Sequence, residues 1–91
     1  MNPIPQNIAT LIEQDRLDEA ITLLNRAITA APDDDTLLFT RGRLHWRLGN
    51  RAGAIADYAR AAELRPDGPA ARALEQSRDI MAFFNPDLLN P

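Results

Sequence analysis

Apolar side chains return at helical spacing along most of the chain, and the rhythm breaks wherever proline, glycine or asparagine intervenes. After Pro3 and Pro5, Ile8, Leu11 and Ile12 supply one face of a helix expected over residues 6–14. A second helix, expected over residues 17–30, buries Ala20, Ile21, Leu24, Ala27 and Ile28. Asp18 and Glu19 stand in its first turn, where the helix dipole favours acids. In a third, Leu37, Leu38, Leu44 and Leu48 recur with Gly42 among them. A fourth shows Ala54, Ile55, Tyr58, Ala61, Ala62 and Leu64 on one face and Asp57, Arg60 and Glu63 on the other. Between the third and fourth, Leu48-Gly49-Asn50-Arg51 is a turn with two residues that tolerate a left-handed backbone. Pro66 cannot extend a helix, so the fourth stops near Arg65.

A fifth helix follows Asp67-Gly68-Pro69 and is expected over residues 70–84. Arg72, Glu75, Gln76 and Asp79 fall at i, i+3, i+4 and i+7, a polar stripe. Ala73, Leu74, Ile80, Met81 and Phe84 lie opposite. A polar stripe where a further helix would dock predicts a closing helix, with the array of helices complete in this chain. Residues 85–91 are expected to be non-helical, with a turn at Asn85-Pro86. Their Leu88 and Leu89, near Phe83 and Phe84, make an apolar tail expected to fold back on the last hairpin or meet a second copy.

The second and fourth helices repeat one another. Subtracting 34 from Ala54, Ile55, Tyr58, Ala61 and Pro66 gives Ala20, Ile21, Leu24, Ala27 and Pro32, and four of the five pairs are identical. The segments 15–19 and 49–53 then lie opposite one another. Period and residues together resemble the tetratricopeptide repeat, a 34-residue helix hairpin with the pattern W-x2-L-G-x2-Y, A-x3-F and P. Leu38 stands for the Trp, Arg41 for the Leu and His45 for the Tyr, whereas Gly42, Ala54, Tyr58, Ala61 and Pro66 follow the pattern or its aromatic character. The small residues let helix backbones approach closely. In the first copy Ile8 stands where the small glycine is expected, a degraded match of the kind a terminal repeat shows. The resemblance implies an all-α fold: an α–α superhelix of two such hairpins plus a capping helix, five antiparallel helices in all. Residues 1–91 read as a single domain, with repeat one over about 4–33, repeat two over about 34–67, the capping helix over about 69–84 and the apolar tail over 85–91.

Length and composition fit that picture. Ninety-one residues allow one domain with a modest core, and 45% apolar with 25% charged residues is ordinary for a globular chain. No apolar run approaches the ~20 residues of a membrane span, and the polar opening with Pro3 and Pro5 is no signal peptide. A cytoplasmic protein without membrane contact is the expectation. Cysteine is absent, which excludes disulfides and thiolate chemistry. All 10 cations are arginine, against 13 acids, for a net charge of −3. Arginine codons are GC-rich, and a GC-rich genome accounts for the missing lysine.

Catalysis has little to work with. His45, the one histidine, occupies a packing position of the repeat pattern, and no His/Asp/Glu cluster has metal-ligand spacing. Asp33-Asp34-Asp35 reads as the N-cap and first turn of the third helix, because no glycine turn or distant Glu completes a calcium loop. No phosphate-binding glycine loop is present. The remaining carboxylates are expected on helix surfaces or caps. The chain is therefore expected to be no enzyme and to carry no cofactor and no metal.

The resemblance instead implies a recognition surface, since the first helix of each hairpin lines a concave face in this family. Phe39, Arg43, Trp46 and Arg47 then face the groove, flanked by Ala9, Ile12 and Glu13 on one side and Ala73, Ser77 and Ile80 on the other. A guanidinium forks carboxylates and stacks on rings, so this strip suits an acidic peptide. The competing reading packs Trp46 against neighbouring helices and pairs the arginines with Asp and Glu. The clamp by which some relatives hold chaperone tails needs Lys, Asn and Arg where this chain has Pro5, Ala9, Thr40, Ala70 and Leu74. The function implied is a non-enzymatic protein–protein interaction module with a peptide or protein partner. Its alternatives are a homodimer through the apolar tail and nucleic-acid binding through Arg41, Arg43, Arg47 and Arg51. The acidic net charge disfavours the last, because that affinity rests on neutralising phosphates.

Overall fold

A computed structural model describes residues 3–84: helices, the turns that join them and a short non-helical lead-in over residues 3–5. The elements are α1 (Gln6–Glu13), α2 (Leu17–Ala30), α3 (Asp35–Arg47), α4 (Arg51–Leu64) and α5 (Pro69–Phe84). Turns of three or four residues reverse the chain each time, so each helix runs antiparallel to the next and α1, α3 and α5 run in one direction. The expected all-α architecture of five antiparallel helices is what is observed. Boundaries differ only at helix ends: α1 stops one residue early and α5 starts at Pro69, where a missing N–H costs nothing.

The period of 34 reaches into the backbone. Both ends of α4 are displaced from those of α2 by it, since 51 − 17 = 34 and 64 − 30 = 34. The turn before α4 puts Gly49 at φ 85, and 34 residues earlier Asp15 takes φ 59 before α2. A positive φ costs glycine nothing and is tolerated by Asp, so both turns close in the same way. Asn50 does not share the left-handed conformation. It is the N-cap of α4, its Oδ1 accepting the Gly53 N–H at 3.0 Å.

Asp33-Asp34-Asp35 serves α3 as expected and does more. Asp34 is the N-cap, its carboxylate accepting the N–H of Thr36 at 3.0 Å and of Leu37 at 3.2 Å. Asp33 pairs with Arg60 and Asp35 with Arg65, so the same run ties the start of α3 to α4 and the residue that follows it.

Two apolar clusters fill the interior. Ile8, Leu17, Ala20, Leu24, Leu37 and Leu44 join α1, α2 and α3. Leu38, Ala61 and Ala70, with Ile28, Phe39, Ala62 and Leu64 against them, join the second hairpin to α5. Burying Leu24 and Ile8 completely removes about 1.5–3 kcal/mol worth of apolar side chain from water for each. Gly42 is a close-approach site: a Cβ there would lie 2.7 Å from the Tyr58 ring and 3.2 Å from Asp57 Cβ. Ala54 and Ala61, on the helix facing it, are fully buried.

Three expectations need correction. Leu48 does not join the apolar face of α3; it caps the helix at its C-terminal end and is 46% exposed, because the helix ends one residue before it. Asp57 does not share a solvated face with Arg60 and Glu63 but is buried, because the position faces Arg41 across the α3–α4 seam. Ile80, expected opposite the polar stripe, stands beside it, one turn after Gln76, and is exposed. Arg72, Glu75, Gln76 and Asp79 are all exposed. The expected docking of the tail involves residues 85–91, which lie outside the described residues, as does the side chain of Phe84. Phe83 is 78% exposed.

Candidate binding groove

Helix α3 is the shared wall of the molecule, and its two sides carry different chemistry. The inner side presents Leu37, Leu38, Arg41, Gly42 and His45 to α2 and α4. Arg41 donates two hydrogen bonds to Asp57, Nε at 2.8 Å and a terminal nitrogen at 2.7 Å, and a third to Asn25 of α2 at 2.9 Å. With side-chain exposures of 22% and 7%, Arg41 and Asp57 form a largely desolvated, bidentate pair. The hydrogen bond to Asp57 raises the Arg41 pKa above its ordinary value, with desolvation opposing. His45 Nε2 stands 3.9 Å from the same carboxylate and its Nδ1 lies 3.3 Å from Asn50 Nδ2. Arg41 and His45, the two polar departures from the repeat pattern on α3, thus meet one buried acid on α4.

Sequence reasoning missed that network because it read Arg41 and Asp57 separately. The available signal was their coincidence: two polar residues on α3 where the pattern wants apolar ones, and an acid on α4 within an otherwise small and apolar face.

The outer side of α3 carries Phe39, Arg43, Trp46 and Arg47, at i, i+4, i+7 and i+8. Phe39 rests on Tyr58, ring centroids 5.7 Å apart, and the Arg43 guanidinium lies 5.9 Å from the Phe39 centroid. Burial pushes the Tyr58 phenol above its ordinary value, while the charge of Arg43 pulls it back and that of Asp57 adds to the rise. Arg43 is exposed and has no ion-pair partner among the described residues.

Trp46 and Arg47 are partly engaged already. Arg51 stacks over the Trp46 ring at 4.0 Å, and Arg47 reaches Asp15 in the α1–α2 turn at 3.0 Å. The indole therefore has Arg51, not Arg43, against it. The Arg47–Asp15 pair is exposed on both sides, a class of contact worth ~0–1 kcal/mol.

Among the described residues, clefts flank α3 on either side of this face. One, of about 180 Å3, lies against α1 and is lined by Ile4, Ile12, Thr40, Arg43, Leu44 and Arg47. The other, of about 390 Å3, lies against α5 and its preceding turn, with Phe39, Arg72, Ala73 and Gln76 among its walls. Arg43 lines the first cleft and leans toward Phe39, which lines the second. Of the predicted flanking residues, Ile12 and Ala73 reach these clefts, whereas Ser77 is buried with its hydroxyl on the Ala73 carbonyl. Ile4 and Leu44 were not foreseen as groove residues. Among the described residues no group of three or more His, Asp or Glu is placed to hold a metal ion, and no helix is long and apolar enough to cross a membrane.

The family model described as tetratricopeptide repeat matches residues 7–78. Among solved structures, the chain is similar to Bacteroides fragilis protein BF1650, determined by NMR in solution. The TM-score is 0.80 at 31% sequence identity, covering 93% of this chain and 87% of that one. No curated protein matches.

Proposed function

The chain belongs to the tetratricopeptide repeat family, and from that premise we propose that it is a non-enzymatic module whose concave face binds an acidic peptide or protein segment carrying an apolar anchor. The observation that carries this reading is Arg43. It is an exposed guanidinium with no acid on it among the described residues, and it lines a cleft together with Ile4, Ile12 and Leu44. A peptide carboxylate gains a charge-assisted hydrogen bond there while a neighbouring aliphatic side chain enters the cleft. Phe39 supports the guanidinium from beneath. Arg47 adds a second donor by exchanging Asp15 for the incoming acid, at little cost for so exposed a pair. Trp46 contributes the flank of the groove, with Arg51 on its ring. Helix α5, with its exposed polar stripe, serves in this reading as the closing cap of two repeats.

Nucleic-acid binding gains no support from the same geometry. Arg41 is spent on Asp57 and Asn25, in a chain of net charge −3.

The test is an amide-shift titration of the isotope-labelled chain with end-blocked peptides that pair one Asp or Glu with one Leu, against the same peptides carrying Lys for the acid. Shifts concentrated on Ile12, Thr40, Arg43, Leu44 and Arg47, saturating in the micromolar range for the acidic series only, are expected. Shifts spread over α2 and α4, or equal response to the Lys series, would overturn the reading.

A further inference from the structure

Leu11, Glu19, Thr22 and Leu23 line a further cleft of about 260 Å3 between α1 and α2, and none of them lines the α1–α3 cleft. We propose that this face is where two copies of the chain associate, α2 lying antiparallel on α2 of the second copy about a two-fold axis between Thr22 and Leu23. The proposal goes beyond the groove reading and does not depend on it.

Three observations carry it. The first is what the cleft lacks. In the second hairpin the positions of Leu11 and Leu23 are His45 and Asp57, and Arg41 seals that seam by bonding Asp57 and Asn25. At the position of Arg41 the first hairpin has Asn7, a short side chain whose Oδ1 accepts the Ile8 N–H at 3.0 Å. Asn7 does not line the cleft, and Leu11 and Leu23 stay half-exposed.

The second is the surface around the leucines. Glu19, Thr22, Leu23, Arg26 and Ala30 fall at i, i+3, i+4, i+7 and i+11 of α2, one face of the helix. Thr22 and the adjoining Thr29 donate their hydroxyls to the carbonyls of Asp18 and Asn25, at 3.1 and 2.9 Å. Neither donor is stranded when water leaves the face.

The third is charge, which is complementary to itself. The two-fold axis sets Glu19 of each copy opposite Arg26 of the other. It brings no like charges together, because Asp15, Arg16 and Asp18 meet Ala30, Thr29 and Ala27. A parallel alignment would instead set Glu19 on Glu19. Arg26 is exposed and has no ion-pair partner among the described residues. Glu19 is held by Arg16, an exposed pair that is exchanged at little cost. Each charge lies about 5 Å along the helix from the axis. A crossing near 20° between helices about 8–10 Å apart therefore keeps both pairs within side-chain reach. One helix face per copy is far smaller than a standard interface, so the dimer is weak.

The experiment follows sedimentation velocity and amide shifts of the full chain from about 20 µM to about 1 mM. The parent is expected to dimerise with a Kd of roughly 100 µM to 1 mM, its dilution shifts centred on Leu11, Glu19, Thr22, Leu23 and Arg26. Glu19→Arg and Arg26→Glu each set like charges across the axis and should weaken dimerisation roughly tenfold or more. An equimolar mixture of the two variants restores opposite charges at both pairs, and its Kd should return to within about threefold of the parent. A parent that is monomeric at about 1 mM would overturn the proposal, as would a dimer indifferent to both reversals or a mixture no tighter than its components. A monomeric parent whose Leu11 and Leu23 signals move with an acidic–apolar test peptide would assign the cleft to another partner and overturn it too.

Discussion

The two hairpins share a backbone period and solve their interiors differently. In the first, Ile8 of α1 and Leu24 of α2 are completely buried in one aliphatic cluster. At the equivalent positions 34 residues on, the second hairpin has Gly42 and Tyr58, and the ring occupies the room the glycine leaves. Two aliphatic side chains of equal size have been exchanged for a glycine and a ring, the larger ring making up in part for the side chain lost, which close packing tolerates better than a change of either alone. The polar side differs as well. Arg41, His45 and Asp57 of the second hairpin correspond to Asn7, Leu11 and Leu23 of the first. The first set sits in the α3–α4 seam and is sealed by an ion pair from which Arg41 also reaches Asn25 of the first hairpin. The second set lies at the outer edge, where Leu11 and Leu23 remain half-exposed along a cleft. Position in the array, more than hairpin identity, thus decides which chemistry a site needs.

Exchanging the volumes tests this most severely. Gly42→Ile places a Cβ 2.7 Å from the Tyr58 ring and should cost about 3 kcal/mol or more in chemical denaturation. Adding Tyr58→Leu rebuilds the arrangement of the first hairpin and should recover most of that loss. A double variant no better than the single one would break the equivalence of the hairpins.

A smaller loss should follow from Arg41→Ala, about 2 kcal/mol, since Asp57 is left buried without its partner while retaining some contact with water through the opening. Replacing the pair together, Arg41→Leu with Asp57→Ala, should return stability to within about 1 kcal/mol of the parent, because neither charge is then stranded. Equal losses for single and double variants would mean the pair is incidental to the seam.

Titration of Tyr58 gives the smallest effect and reports on the outer side. The folded phenol keeps its proton above its ordinary value of 10.0, where the unfolded one loses it. Its contribution to stability is therefore full below about pH 10 and declines as pH rises through that window. Arg43→Gln removes a charge that favours the phenolate, so the ultraviolet titration of the tyrosine should move further upward. An unchanged or lowered midpoint would contradict the placement of Arg43 beside the Phe39–Tyr58 stack.

Much of the fold was legible because it rests on period and punctuation. Prolines 5, 32, 66 and 69 and Gly49 mark where helices start and stop, and the alanines at 20, 27, 54 and 61 mark where they approach. These signals are local or repeat at a fixed interval, so one sequence suffices to read them. The groove was legible only in part. Helical spacing placed Phe39, Arg43, Trp46 and Arg47 on one face, but a spacing rule says nothing about which acid folds onto which arginine. Asp15 and Arg51 take up Arg47 and Trp46 through contacts between turns, and Ile4 enters the cleft from outside any helix. Asp57 was misread for the same reason, since burial at that position depends on a partner 16 residues away.

The central claim is that two arginines two residues apart on one helix have opposite duties, Arg41 holding the hairpin seam and Arg43 meeting a partner. Calorimetric titration of one acidic–apolar peptide into the parent and Arg43→Glu, with denaturation curves for both, tests it most directly. The account predicts at least a tenfold loss of affinity, about 1.4 kcal/mol, with stability changed by less than about 0.5 kcal/mol. Affinity kept within twofold at unchanged stability would contradict it.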